Sequence, residues 1–382
     1  MFLSAGEASG DAYAAALVRE LKARNNGLLI SGVGGPRLRE EIGFLAADSS
    51  TWGAISIVQS LAVAPRALLG YRIALKALSS GEPGLFVPID FGFFNIRIAR
   101  KAREKGWKVL YFVPPGSWRR DKQGADLPAL TDAIATPFPW SADLLQQMGA
   151  NAHFFGHPIK QLIRESTSGV GAVRDRLAVL PGSRAHELER NLPLIAAALE
   201  ARPLEPSSGG EGMRPIQTKV EFAVAPSVDL EGLRTSWAHL APAREDLFTR
   251  NDVYGVLRRA RAAIVCSGTA TLEAALLRCP MVVIYQVSKT MVAEAKVIGF
   301  KQPEHIALPN ICLQRRLVTE LVGEKINPLE VNAEVESLLN EGALRERQMK
   351  GFEELDRILG DDDAISHTAD LAMSLIESRS SR

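Results

Sequence analysis

Four turns in this chain carry residue types from which group-transfer chemistry is made. The first is Ala5-Gly6-Glu7-Ala8-Ser9-Gly10-Asp11. Its glycines let the backbone turn tightly and approach a ligand, and Ser9 or Asp11 can cap the helix that follows. A binding loop and a structural cap fit it equally. Neither this turn nor Gly32-Val33-Gly34-Gly35-Pro36 has the G-x-G-x-x-G spacing of a dinucleotide site. The second is Pro88-Ile89-Asp90-Phe91-Gly92-Phe93-Phe94-Asn95, closing an apolar run. Ligands of open α/β sheets collect at such strand ends. A carboxylate at Asp90 among Ile89, Phe91, Phe93 and Phe94 is partly desolvated, which raises its pKa and suits it to general-base work. The alternative is an N-cap for a helix from Ile96 onward.

The third turn is Pro181-Gly182-Ser183-Arg184, followed by Glu187 and Glu189. An arginine and backbone N–H groups at a helix start make an anion site, which the glutamates weaken unless they point away. The fourth is Ser267-Gly268-Thr269-Ala270-Thr271, with Glu273 one turn further on. Hydroxyls and N–H groups there make a cradle for a diphosphate, and Glu273 can accept hydrogen bonds from a ribose. Plain helix capping is the alternative for both turns. Leu308-Pro309-Asn310, with Arg315 and Arg316 after it, adds an asparagine able to read a base or phosphate edge.

The elements that must position these turns are short apolar runs alternating with amphipathic stretches. Met1–Ser4, Leu28–Val33, Leu85–Ile89, Lys108–Val113, Ala133–Ala135 and Ala152–Phe155 read as strands, and Ala12–Ala23 and Arg97–Lys105 as helices. That pattern predicts βαβ units around a parallel sheet buried on both faces. It restarts with Leu177–Leu180, Val220–Ala225, Ala262–Cys266 and Met281–Tyr285, joined to the first half near Ile159–Ala172. Ala201–Pro215 reads as a loop, and Glu334–Glu377 as helix broken near Gly360.

The bulk numbers bound the function. At 382 residues, two domains are expected, and a formal net charge of +1 argues against a nucleic-acid binder. Cys266, Cys279 and Cys312 form no CxxC pair and read as reduced structural thiols of a cytosolic chain. The scattered histidines give no metal site. No signal peptide opens the chain, and no apolar run reaches the ~18–20 residues that span a bilayer. Ile55, Ile57, Val58, Leu61, Val63, Leu68 and Leu69 cluster beside Arg66 and Arg72, while Trp118 neighbours Arg119, Arg120 and Lys122. Both groups read either as a bilayer-interface face or as ordinary core-facing helix.

In order, AGEASGD (5–11), GVGGPRL (32–38), ID with FN four residues on (89–95), GHP (156–158), LPGSR with E-x-E behind it (180–189), SGTATLE (267–273), CPMVV-x-Y (279–285) and LPN (308–310) resemble the lipid A disaccharide synthase family. The resemblance implies an α/β, GT-B fold of two facing Rossmann-like domains, with a C-terminal helix crossing back to the first. It assigns residues 1–165, with a helix at about 360–378, to an acceptor- and membrane-facing domain, and 173–345 to a UDP-sugar donor domain. The implied reaction is an inverting transfer from UDP-2,3-diacylglucosamine to the 6-hydroxyl of 2,3-diacylglucosamine 1-phosphate, giving a β-1,6 disaccharide and UDP.

By the same resemblance Asp90 is the base and Arg184 serves the donor. Glu7, Ser9, Gly10, Asp11, Asn95 and Trp118 contact substrate, while Gly182, Ser183, Arg184, Ser267, Gly268, Thr269, Ala270, Thr271, Glu273 and Asn310 bind UDP. No metal or other cofactor is implied. The partners are the UDP-sugar donor, the acylated glucosamine phosphate and the inner face of the cytoplasmic membrane, with a homodimer as a further expectation and no nucleic acid. The chain departs from the family pattern at Phe93, where the family carries a second aspartate, at Gly116–Asp121, and at Leu313–Arg316. A UDP-sugar epimerase would need more acid/base residues than Asp90 and Glu7, and a lipid-carrier glycosyltransferase or a non-catalytic UDP-sugar binder are the other readings.

Overall fold

The computed structural model describes the whole chain except residues 51, 53–56, 81, 118, 121–123, 201–217, 298, 300–302 and 381–382, and the side chains of 57–63, 93, 295, 297 and 379–380. The expected loop at 201–215 lies outside the described residues, as do Trp118 and Ile55. The chain divides into two compact units, one of Met1–Arg164 with Arg357–Arg382 and one of Glu165–Asp356.

The strands of the first unit are β1 (Phe2–Ala5), β2 (Ser31–Gly34), β3 (Ala47–Asp48), β4 (Leu85–Ile89), β5 (Lys108–Phe112), β6 (Ala133–Ala135) and β7 (Ala152–His153). They form a parallel sheet in the order β3-β2-β1-β4-β5-β6-β7. The strand order reverses between β1 and β4, as in Rossmann sheets. Every residue of β1 and β4 is buried, which explains a spelling that is apolar except at Ser4. Phe2, Phe86, Ile98, Ala102 and Val109 pack one core cluster, and Tyr111, Leu127, Ile134 and Leu145 another.

The C-terminal helix Ala364–Ser380 returns to this unit and packs on the first helix, Ala8–Arg24. Gly156 explains how it is seated. With φ +100, it lies so close to Asp361 that a Cβ would stand 2.2 Å from that residue's carbonyl oxygen. Beside it the His157 N–H donates to the Leu359 carbonyl at 2.8 Å, and the Gln161 side chain accepts from the Ile365 N–H at 2.9 Å. The GHP motif therefore holds the returning segment. Burial, reinforced by Lys160, pushes the His157 imidazole down to about 3, so it stays neutral.

The second unit contains β8 (Arg176–Leu180), β9 (Lys219–Val224), β10 (Leu247–Arg250), β11 (Ala260–Cys266), β12 (Met281–Gln286) and β13 (Thr319–Gly323). Its order is β10-β9-β8-β11-β12-β13, all parallel, so the same topology recurs with its reversal between β8 and β11. Phe222, Trp237, Ile264, Val282 and Val335 belong to its core. The expected α/β fold of two Rossmann-like halves is the observed one. Three strands were not legible from the sequence: β3, β10 and β13. The predicted helical stretch near the C-terminus breaks twice, separating helices Pro328–Leu339, Ala343–Ile358 and Ala364–Ser380.

Candidate active site

In each unit the motif-bearing turns leave the sheet at the point where strand order reverses, which is where ligands of open α/β sheets bind. In the first unit Ala5 pairs with Ile89, so the turns after β1 and β4 lie side by side. Gly10 faces the second turn, and a Cβ there would stand 3.8 Å from the Asp90 Cβ. Gly6 leaves room for Phe91, whose ring would be 2.2 Å from a Cβ at that position.

Asp90 and Phe91 both adopt left-handed backbone, at φ +51 and +48. The next helix, Gly92–Glu104, is capped by the Phe91 backbone with no side-chain cap, so Asp90 does not serve as the cap of a helix from Ile96. Burial, then the charge of Glu7, raises the Asp90 carboxyl to about 6, against the opposing hydrogen bond from the Phe91 backbone. Trp52, at 5.2 Å from Phe94 between ring centroids, and Phe91, 5.2 Å from Phe94, form an aromatic floor beside it. Trp52 could not be picked from sequence, since its neighbours carry no motif.

Several expected ligand contacts are committed to the fold instead. Asp11 is buried within the first helix, and its carboxylate accepts the N–H groups of Gly35 at 2.7 Å, Arg37 at 3.0 Å and Leu38 at 3.1 Å. It thus caps the helix Pro36–Ile42 rather than its own, whose N-cap is Glu7 without a capping bond from its side chain. Ser9 lies inside the first turn of its helix and is partly buried, as is Glu7. Asn95 is buried, donating to the carbonyls of Ser4 at 3.0 Å and Asp90 at 2.9 Å while accepting from the Ser4 hydroxyl at 2.6 Å. It braces the Asp90 turn. Tyr111, hidden in the apolar spelling of β5, does the same by donating to the Asp90 carbonyl at 3.0 Å.

In the second unit Gly182 takes φ +120, which favours glycine, and a Cβ there would lie 2.6 Å from Glu187. Glu187 points inward. Its carboxylate accepts from the backbone N–H of Ser183 at 2.9 Å and of Arg184 at 3.2 Å, and from the Arg184 guanidinium at 2.9 Å. The backbone nest expected to hold an anion is therefore occupied by the chain's own carboxylate, with the Arg184 guanidinium 25% exposed beside it.

Across the reversal, Ser267 donates to the Ile306 carbonyl at 2.9 Å, and Gly268 is exposed at φ +153. Thr269, Ala270 and Glu273 are partly buried, whereas Thr271 is fully buried. The Thr271 hydroxyl donates to the Gly268 carbonyl at 2.8 Å and accepts the Leu308 N–H at 3.2 Å. Asn310 is likewise spent: its amide donates to Val318 and Glu320, each at 2.9 Å, and its oxygen accepts the N–H groups of Leu317 at 2.8 Å and Val318 at 2.9 Å. Ser267 and Thr271 thus pin residues 306–308 to the SGTATLE turn, whereas Asn310 ties the same segment to Leu317, Val318 and Glu320. Burial holds the thiols of Cys266 and Cys279 up to about 12, so both are inert.

Among the described residues no group of His, Cys, Asp and Glu gathers as metal ligands, and no helix is long and apolar enough to cross a membrane. On the helix Ile57–Ser80, Leu68 is 51% exposed and Leu69 60% exposed, beside the exposed Arg66 and Arg72.

A family model described as lipid-A-disaccharide synthetase matches residues 1–369. A lipid-A-disaccharide synthase of Anaeromyxobacter dehalogenans is 31% identical over 387 residues, covering 98% of this chain and 97% of the relative. Among solved structures, MnaA of S. aureus with UDP superposes at a TM-score of 0.61 and 12% identity, covering 98% of this chain and 97% of the other. MurG of Acinetobacter baumannii does so at 0.54 and 14% identity, covering 98% and 99%. These two likenesses bear on the fold, which is of the GT-B type.

Proposed function

The chain belongs to the lipid-A-disaccharide synthetase family, and from that premise we propose that Asp90 is the base of its sugar transfer and that Arg184 and the 267–273 turn hold UDP. The chemistry is a hexosyl transfer from a UDP-sugar that forms the lipid A disaccharide. In it, the 6-hydroxyl of 2,3-diacylglucosamine 1-phosphate attacks the anomeric carbon of UDP-2,3-diacylglucosamine. The oxygen–carbon bond forms as the carbon–phosphate oxygen bond breaks, the configuration inverts, and UDP leaves.

Such a step needs one group to take the hydroxyl proton and positive charge to stabilise the departing diphosphate. Asp90 suits the first need, because a carboxyl near 6 is mainly ionised at neutral pH and still basic enough to accept a proton. Glu7 and Gly10, beside it on the first turn, line the acceptor's approach in this reading. Arg184 suits the second need, with Ser267, Gly268, Thr269, Ala270 and Glu273 around the nucleotide. The first unit is then the acceptor side and the second the donor side. Leu68 and Leu69 with their flanking arginines serve as contact with the inner face of the cytoplasmic membrane, where the acylated substrates lie.

The observation that carries this reading is the Asp90 carboxyl, raised to about 6 at the strand-order reversal of a Rossmann sheet. The test is incubation of the purified protein with both acyl sugars in detergent, following UDP and the lipid product by mass spectrometry. Disaccharide should form with the wild type and fall by about 10²–10⁴-fold with Asp90→Asn, while UDP affinity stays within about twofold. Retained turnover in Asp90→Asn would remove Asp90 from the reaction.

A further inference from the structure

Two consecutive non-glycine residues in left-handed backbone, Asp90 and Phe91, are a costly arrangement, because each Cβ then crowds its own carbonyl oxygen. Strain of this kind persists where the surroundings over-determine it. Here the over-determination falls on the peptide group of Asp90. Its N–H donates to the Phe112 carbonyl at 3.1 Å, and its carbonyl accepts from the Asn95 amide at 2.9 Å and the Tyr111 hydroxyl at 3.0 Å. Asn95 is itself tied to Ser4 on β1, and Tyr111 stands on β5, so the two donors come from separate elements. Once the N–H and C=O of a residue are fixed, the direction in which its Cβ leaves the backbone is fixed too.

The Tyr111 ring has a separate task. It is completely buried and packs with Leu127, Ile134, Leu145 and Ala152. A phenylalanine would fill that space without a polar atom to satisfy, and a buried hydroxyl contributes only through its bond. Ring and hydroxyl are therefore separable: the ring packs, and the hydroxyl reaches Asp90.

We propose that Tyr111 is a positioning residue for the transfer, its hydroxyl locking the left-handed turn that aims the Asp90 carboxylate. The proposal rests on the reading of Asp90 as base. Burial and the nearby Asp90 charge push the Tyr111 phenol well above its ordinary value, which keeps it a donor at any working pH.

The test compares Tyr111→Phe with Asp90→Asn and wild type, using the full chain and both acyl sugars. Tyr111→Phe should lower kcat by about tenfold, because a carboxylate released by a fraction of an ångström loses its alignment. The donor KM should stay within about twofold and the thermal midpoint should barely move, since the packing ring is retained. A full-speed Tyr111→Phe beside an inactive Asp90→Asn would overturn the proposal and leave the base reading intact. A kcat loss matched by parallel losses of donor affinity and thermal stability would overturn it as well, making the hydroxyl a general structural bond. Turnover retained in Asp90→Asn would instead overturn the base reading, and this proposal with it.

Discussion

The Arg184 guanidinium and the Glu187 carboxylate stand 2.9 Å apart on the same helical turn, the arginine 25% exposed and the glutamate 7%. Glu187 also takes two backbone N–H groups, so it is a compensated buried charge. If Arg184 holds UDP as proposed, it serves Glu187 and the diphosphate together, which its planar, five-donor fork permits.

Arg184→Lys should therefore weaken UDP binding by about tenfold, because an ammonium cannot bridge two anions in fixed geometry. Isothermal titration with UDP measures it directly. An unchanged Kd would place the diphosphate away from Arg184.

The acid limb of kcat/KM should centre near 6, the value to which Asp90 is raised by burial and by Glu7. Below it the base is protonated and the rate falls about tenfold per pH unit. Glu7→Gln removes the like charge and should move the limb to lower pH. A limb that stays where it was would show that Glu7 does not act on Asp90.

The same shift has a consequence for stability. Asp90 is raised on folding, from 3.8 to about 6, so the folded chain holds this proton more tightly than the unfolded one. The group's favourable contribution is complete below its unfolded pKa and is lost as pH rises through about 6. Asp90→Asn, which cannot ionise, should thus gain stability relative to wild type between pH 4 and pH 8 by about 1–2 kcal/mol, discounted for partial exposure. Urea unfolding at the two pH values reads the difference, and a gap that does not widen with pH would mean that the folded Asp90 titrates normally.

What the sequence disclosed follows from burial. Strands β1, β4, β8 and β11 are almost wholly buried and, apart from Ser4, Arg176 and Arg261, spell apolar runs, so they and the turns at their ends were legible. The missed strands are edges. Two-residue β3, half-exposed β10 and β13 with its sequence TELVG carry no such run. In the site, Asp11, Thr271 and Asn310 are the residue types a ligand would use, and only the fold reveals that backbone groups of other segments take them first. Tyr111 was invisible for the opposite reason, since inside an apolar strand its ring looks like core and its hydroxyl carries no pattern.

Leu68 and Leu69 are exposed in a place where neither packs into a core, flanked by Arg66 and Arg72. Adjacent exposed leucines with basic neighbours suit the interface of an anionic bilayer. Replacing both leucines with serine should reduce cosedimentation with phosphatidylglycerol-containing vesicles by about tenfold or more, given 1.5–3 kcal/mol for a fully buried leucine. UDP affinity should be unaffected. Equal sedimentation of variant and wild type would assign these leucines no part in membrane contact.

Asp11 offers the cleanest separation of a structural carboxylate from a substrate ligand. Its oxygens take three N–H groups at the start of the helix Pro36–Ile42, and Gly35 must lack a side chain because a Cβ would lie 2.7 Å from that carboxylate. Removing the acceptor strands these donors in a site only 4% exposed at Asp11. Asp11→Ala should therefore cost about 3 kcal/mol in urea unfolding, the scale of losing charge-assisted bonds to buried donors. Asp11→Asn keeps one acceptor oxygen and should recover part of that loss. If Asp11→Ala instead unfolds like the wild type while the acceptor KM rises, the carboxylate belongs to the substrate and the helix start finds its acceptors elsewhere.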